Sequence, residues 1–103
     1  MTNEDFISIV EQQFLRRKKI LSKPEKARVA GTADRLIQFK RMAKMRKCSP
    51  MSAAVDLSTK HFTDIIDMAD GSHAKSGDIN YLRDLISDVQ NYLDITLAIA
   101  EEE

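Results

Sequence analysis

Three polar residues near the C-terminus, Asp84, Asp88 and Asn91, stand four and then three positions apart. On a helix that spacing stacks their side chains on one face. Two carboxylates one turn apart repel, which weakens an isolated helix by roughly 0.2–0.5 kcal/mol. A divalent cation reverses the sign, because carboxylate oxygens are the ligands that Mg²⁺ and Ca²⁺ take. An ordinary solvated acidic face has the same pattern, and spacing alone does not separate the two. A second set lies upstream: Lys60, His61, Asp64 and Asp67. A histidine one turn from an aspartate, with another acid three residues on, suits metal or water binding as well as a hydrogen-bonded structural role.

Helices must position both sets. In the last stretch, 78–100, Leu82, Leu85, Ile86, Val89, Leu93, Thr96, Leu97 and Ala100 recur at three and four and predict the buried stripe of an amphipathic helix. Ser76 or Asp78 caps it, and Glu101 to Glu103 form an acidic tail. Tyr81, Tyr92, Ile95 and Ile99 fall outside that stripe, more apolar surface than a solvated side carries. Upstream, Ser49-Pro50 is a helix start with serine as N-cap and proline at the first helical position. The helix it opens is expected to run to about Asp70 and to bury Met51, Ala54, Val55, Ser58, Phe62, Ile65, Ile66 and Ala69. Residues 71–77 then form a turn-rich loop in which His73 is expected to be exposed.

Nearer the N-terminus, Thr2 or Asn3 caps a first helix, with Glu4 and Asp5 in its positive first turn. Phe6, Ile7, Val10, Phe14, Ile20 and Leu21 mark its apolar face, and the Arg16–Lys19 run suits its C-terminal dipole. An irregular segment spans about 22–33 and contains Pro24. Thr32 is the expected N-cap of a second helix reaching about Lys47, with Asp34 in its first turn. Its stripe is Leu36, Phe39, Met42, Ala43 and the stem of Arg46, and Lys40, Arg41, Lys44 and Lys47 lie opposite. No period-two alternation marks a strand. The reading is a single all-α domain over 1–103.

Charge sums to zero over the 103 residues but is unevenly distributed. Residues 16–47 carry +11, residues 1–15 carry −3 and residues 48–103 carry −8. Such asymmetry fits a nucleic-acid surface, a phosphate-binding surface, or halves that neutralise one another within or between subunits. There is no glycine-rich phosphate loop or zinc-finger spacing, and few aromatics are available for base stacking. The single Cys48 supplies no internal disulfide, and no apolar run approaches the roughly 20 residues of a bilayer span. A cytoplasmic protein without membrane contact is expected.

Several segments resemble a family of small phage-encoded helical proteins, distant relatives of the MazG-type all-α nucleoside triphosphate pyrophosphohydrolases. They are Asp34-Arg35-Leu36 with Phe39-Lys40, Lys60-His61 followed by Ile65 and Asp67, and Asp84, Asp88 and Asn91-Tyr92-Leu93. The match covers 34–97 in order. It implies a four-helix bundle-like, MazG-like fold in which the third and fourth helices form a long antiparallel hairpin. The implied activity is Mg²⁺- or Mn²⁺-dependent cleavage of a nucleotide between its α- and β-phosphates. Carried over by position, Asp84, Asp88, Asp67 and Asp64 become metal ligands and His61 and Lys60 catalytic groups. Asn91, Tyr92, Arg35 and Lys40 then hold the nucleotide. Where the family has a lysine followed by Glu-Tyr, this chain has Lys23-Pro24-Glu25-Lys26, which puts Lys26 where an acid belongs. Asp84 stands in place of the family's glutamate, and Asp64 in place of a small residue. The alternative is a catalytically silent helical module that engages a host protein, or nucleic acid through its basic 16–47 segment. Either way, the unstriped apolar residues of the last helix predict a homo-oligomer, a dimer or higher.

Overall fold

The computed structural model describes residues 1–23 and 34–102. Four helices make up most of them, with no strand among the described residues: α1 (Asn3–Leu21), α2 (Ile37–Arg46), α3 (Pro50–Asp70) and α4 (Ile79–Glu102). No described helix is long and apolar enough to cross a membrane. The expected cap at Thr32 and the Pro24–Lys26 departure lie outside the described residues.

Local chemistry accounts for most of the helix ends. Thr2 and Asp5 form a reciprocal capping box at the start of α1, each side chain accepting from the other's backbone N–H. Ser49 Oγ accepts from Ser52 N at 3.1 Å, and Pro50 opens α3. Gly71 ends α3 at φ 82°, a conformation that costs a side-chain-bearing residue far more. The Asp78 carboxylate accepts from Tyr81 N at 3.1 Å and begins α4. At α2 the helix starts at Ile37 with no side-chain cap, and Asp34 precedes it in a turn, its carboxylate accepting from Leu36 N at 3.0 Å.

The α3–α4 pair is an antiparallel hairpin: Ala54 packs near Ile99, and His61 lies beside Asp88 and Tyr92. Leu36 and Phe39 of α2 close the Ala54–Ile99 end, and Met51, Leu57, Tyr92 and Ile95 pack around them. Small residues are among the most deeply buried. Ala53 and Ala54 are fully buried, and the largest fully buried side chain is Ser87. Leu36, Phe39, Met68, Leu85 and Ile99 supply the larger buried apolar side chains.

The buried stripes are rotated from the expected ones. On α4 the inward line is Leu85, Tyr92, Ile95 and Ile99, whereas Leu93 and Leu97 are 51% and 59% exposed. Asn91, expected on the solvated side, is buried. On α3 the buried residues are Ala53, Ala54, Ser58 and Met68, and Val55, Phe62, Ile66 and Ala69 face outward. α1 buries no residue at all, and its expected inner face of Phe6, Ile7, Val10 and Phe14 is exposed. Two apolar lines compete on each long helix, and the buried one is the line that meets the facing helix and the start of α2. Ile99→Ala is expected to cost about 2–4 kcal/mol in urea unfolding, by lost transfer energy plus a cavity. Leu15→Ala, on an exposed α1 position, is expected to cost under ~0.5 kcal/mol.

Candidate functional site

The seam between α3 and α4 brings together side chains from two separate sequence segments. The His61 ring stacks on Tyr92 with centroids 5.6 Å apart and planes 19° from parallel. Tyr92 in turn meets Phe39 edge-on at 6.3 Å. His61 Nδ1 lies 3.6 Å from Asp88 Oδ2, an ion pair when the imidazole is protonated. Burial, and then the negative charge of Asp88, push the Tyr92 phenol above its ordinary value. Asn91, on the same stretch of α4, carries a buried Oδ1 with no hydrogen-bond donor among the described residues.

The remaining sequence-predicted residues go elsewhere. Asp84 is held by Arg16 of α1 in a direct ion pair. Asp64 lies 3.8 Å from Nε2 of His73, which is half-buried against Tyr81 instead of exposed. His73 Nδ1 accepts from Lys75 N at 2.9 Å, so in the neutral ring the proton sits on Nε2, toward Asp64. Lys75 Nζ stands 4.5 Å over the Tyr81 ring and completes that cluster by a cation–π contact. Asp67 sits half-buried in the last turn of α3, where its carbonyl accepts from Ser72 N and His73 N. Lys60 is exposed. Lys40 bridges Asp34, at 2.6 Å, and Glu102, tying the start of α2 to the end of α4 with Arg35 half-buried alongside. The hydrogen bond from Lys40, then that from Leu36 N, lower the Asp34 pKa, and the same two carboxylates raise that of Lys40.

These positions test the implied Mg²⁺ or Mn²⁺. Among the described residues no three His, Cys, Asp or Glu side chains stand where one cation takes them together. Asp84 and Asp88 share a helix face, but one is neutralised by Arg16 and the other faces His61. The described residues of a single chain therefore do not fit an octahedral all-oxygen site.

A second feature was not legible in the sequence. α1 rests on α4 through polar contacts. Gln13 Nε2 donates to Ser87 Oγ at 2.6 Å and to the Arg83 carbonyl at 3.0 Å, and Arg17 meets Asp94 at 2.6 Å. Beside these contacts runs a groove of ≈ 500 Å³, with Ile9, Val10, Phe14 and Ile86 as its apolar lining and Arg16, Arg17 and Arg83 among its polar groups. The sequence signal was the Arg16–Lys19 run, which the helix dipole alone explained equally well. Protein-family models, curated proteins and solved structures all return no match to this chain.

The raised Tyr92 pKa has a defined consequence for stability. A group whose folded pKa lies above its unfolded value, here 10.0, stabilises the fold fully below that pH. The contribution is lost as pH rises through the folded pKa. Thermal melts should therefore fall more steeply above pH 10 for the parent than for Tyr92→Phe, and identical alkaline profiles would remove this role from the phenol.

Proposed function

We propose that this chain is a helical binding module that takes a protein segment into the groove between α1 and α4. The supporting observation is the groove itself: an apolar floor of Val10, Phe14 and Ile86 beside the guanidinium of Arg83, which donates to the Asn80 amide oxygen whereas Arg16 and Arg17 face carboxylates. That chemistry suits an amphipathic helix with apolar residues at three- and four-residue spacing and acidic residues along its flank. α1 gains from such a ligand because none of its own residues is buried. The basic 16–47 segment is a weaker surface for nucleic acid than its charge suggests. Arg16, Arg17, Lys40 and Arg46 each face a carboxylate of the same chain, which offsets their pull on phosphates. Selection from a random helical peptide library tests the reading. The expected ligands are acidic and amphipathic and lose at least about tenfold in affinity to Phe14→Glu, a few kcal/mol of lost burial plus charge repulsion. Enrichment of Lys/Arg-rich peptides, or of none, would contradict it.

One observation favours a second reading, the MazG-like pyrophosphohydrolase. His61 meets Asp88 and Tyr92, all three assigned to the site by the resemblance, and the neighbouring Asn91 oxygen has no donor among the described residues. On this reading the protein handles a nucleoside triphosphate in the cytoplasm with Mg²⁺ or Mn²⁺. Pyrophosphate release from a panel of triphosphates with either cation, abolished by Asp88→Asn, is the outcome it requires. No release from any triphosphate at high protein concentration leaves the binding module.

A further inference from the structure

We infer that α1 is an ionically latched arm. It exchanges between a docked and a released state on α4, and the ion pairs of Arg16 with Asp84 and Arg17 with Asp94 set the balance. The latch follows from how little of α1 is covered. Residues 1–12 are exposed throughout, whereas Gln13, Arg16, Arg17, Ile20 and Leu21 are half-buried. Those positions recur at three and four, so α1 is covered along a single stripe of its C-terminal half. Of the described helices, α1 alone buries no residue.

The stripe is polar where it meets α4. Gln13 Nε2 donates to Ser87 Oγ at 2.6 Å and to the Arg83 carbonyl at 3.0 Å. Arg16 pairs with Asp84, and Arg17 Nη1 meets Asp94 Oδ2 at 2.6 Å. Water replaces each of these partners on release, so the hydrogen bonds favour docking only modestly. Phe6, Ile7, Ile9, Val10 and Phe14 stay exposed in the docked state, so burial of their apolar surface adds little. The Asp84 and Asp94 side chains are 56% and 54% exposed, and pairs of that kind are weak and screened by salt. Each shifts the docking equilibrium by at most roughly fivefold.

Release and loss of helix go together. Without its contacts, a helix of 19 residues that includes Ile7, Ile9, Val10 and Ile20 is marginal in water. The rest of the fold does not depend on the arm, because the core cluster of Leu36, Phe39, Ala54 and Ile99 contains no residue of α1. The arm's role as a gate rests on the binding reading above. A ligand that touches both α1 and α4 binds only the docked state, so its apparent affinity scales with the docked fraction. Screening the two ion pairs then opens the groove, and a bound helix holds it closed.

Hydrogen exchange of the full chain, read by mass spectrometry over 7–21 and 85–99, tests the inference. Amides of 7–21 are expected to exchange at least roughly a hundredfold faster than those of 85–99. Raising NaCl from about 0.05 M to about 0.5 M should speed the first group roughly threefold or more and leave the second unchanged. Arg17→Asp and Asp94→Arg should each speed α1 exchange roughly tenfold, since each turns an attraction into a repulsion. The double reversal should return it to within about threefold of the parent. Exchange of both segments at one rate overturns the inference, as do α1 rates that ignore salt or the reversals. The parent's salt response decides the matter even if a variant fails to fold. A peptide selected by the groove while α1 exchange ignores salt leaves the binding reading without the latch. Salt-driven α1 exchange with no selected peptide leaves the latch without the binding reading.

Discussion

Burial of one face of the α3–α4 hairpin beneath the start of α2 is the constraint on which the structure depends. Ala54 of α3 and Ile99 of α4 share a core with Leu36 and Phe39, and Ser87 is buried where Gln13 of α1 donates to it. Once that seam forms, the orientation of every other side chain on both helices is set. Tyr92 must lie between Phe39 and His61, Asp88 must face His61, and Asn91 must be buried. The same choice turns Val55, Phe62, Ile66, Leu93 and Leu97 outward.

The core is small, with Leu36, Phe39, Met68, Leu85 and Ile99 as its larger side chains. A chain of this length has a stability margin of only several kcal/mol, and small side chains contribute little transfer energy. Ion pairs then hold the periphery: Arg16 with Asp84, Arg17 with Asp94, and Lys40 between Asp34 and Glu102. Exposed pairs of this kind contribute at most about 1 kcal/mol each. They position α1 and the ends of α2 and α4 more than they stabilise them. They also make use of the uneven charge, because the basic segment and the acidic C-terminal half neutralise one another within the chain.

Much of the fold was legible because it is local. The Thr2–Asp5 box, Ser49-Pro50, Gly71 and Asp78 each act within a few residues, and each stands where the sequence placed it. The stripe of α2 was legible for the same reason, since it has one apolar face. On α3 and α4 the sequence holds two apolar lines, and periodicity alone does not say which of them meets the neighbouring helices. The line through Leu93 and Leu97 is the more hydrophobic, and the line through Ser87-side Leu85, Tyr92 and Ile99 is the one that packs. Of the candidate site, the meeting of His61 with Asp88 and Tyr92 follows from antiparallel pairing of segments picked out in the sequence. The capture of Asp84 by Arg16 spans 68 residues and left no local mark.

The central claim is that α4 has two apolar lines, one sealed within the chain through Leu85 and Ile99 and one left outward through Leu93 and Leu97. Methyl NMR with a soluble paramagnetic probe tests it directly. Leu85, Ile95 and Ile99 methyls should be shielded at every protein concentration. Those of the exposed Leu93 and Leu97 should broaden. Leu85 and Ile99 methyls as accessible as those of Leu93 and Leu97 would contradict the account.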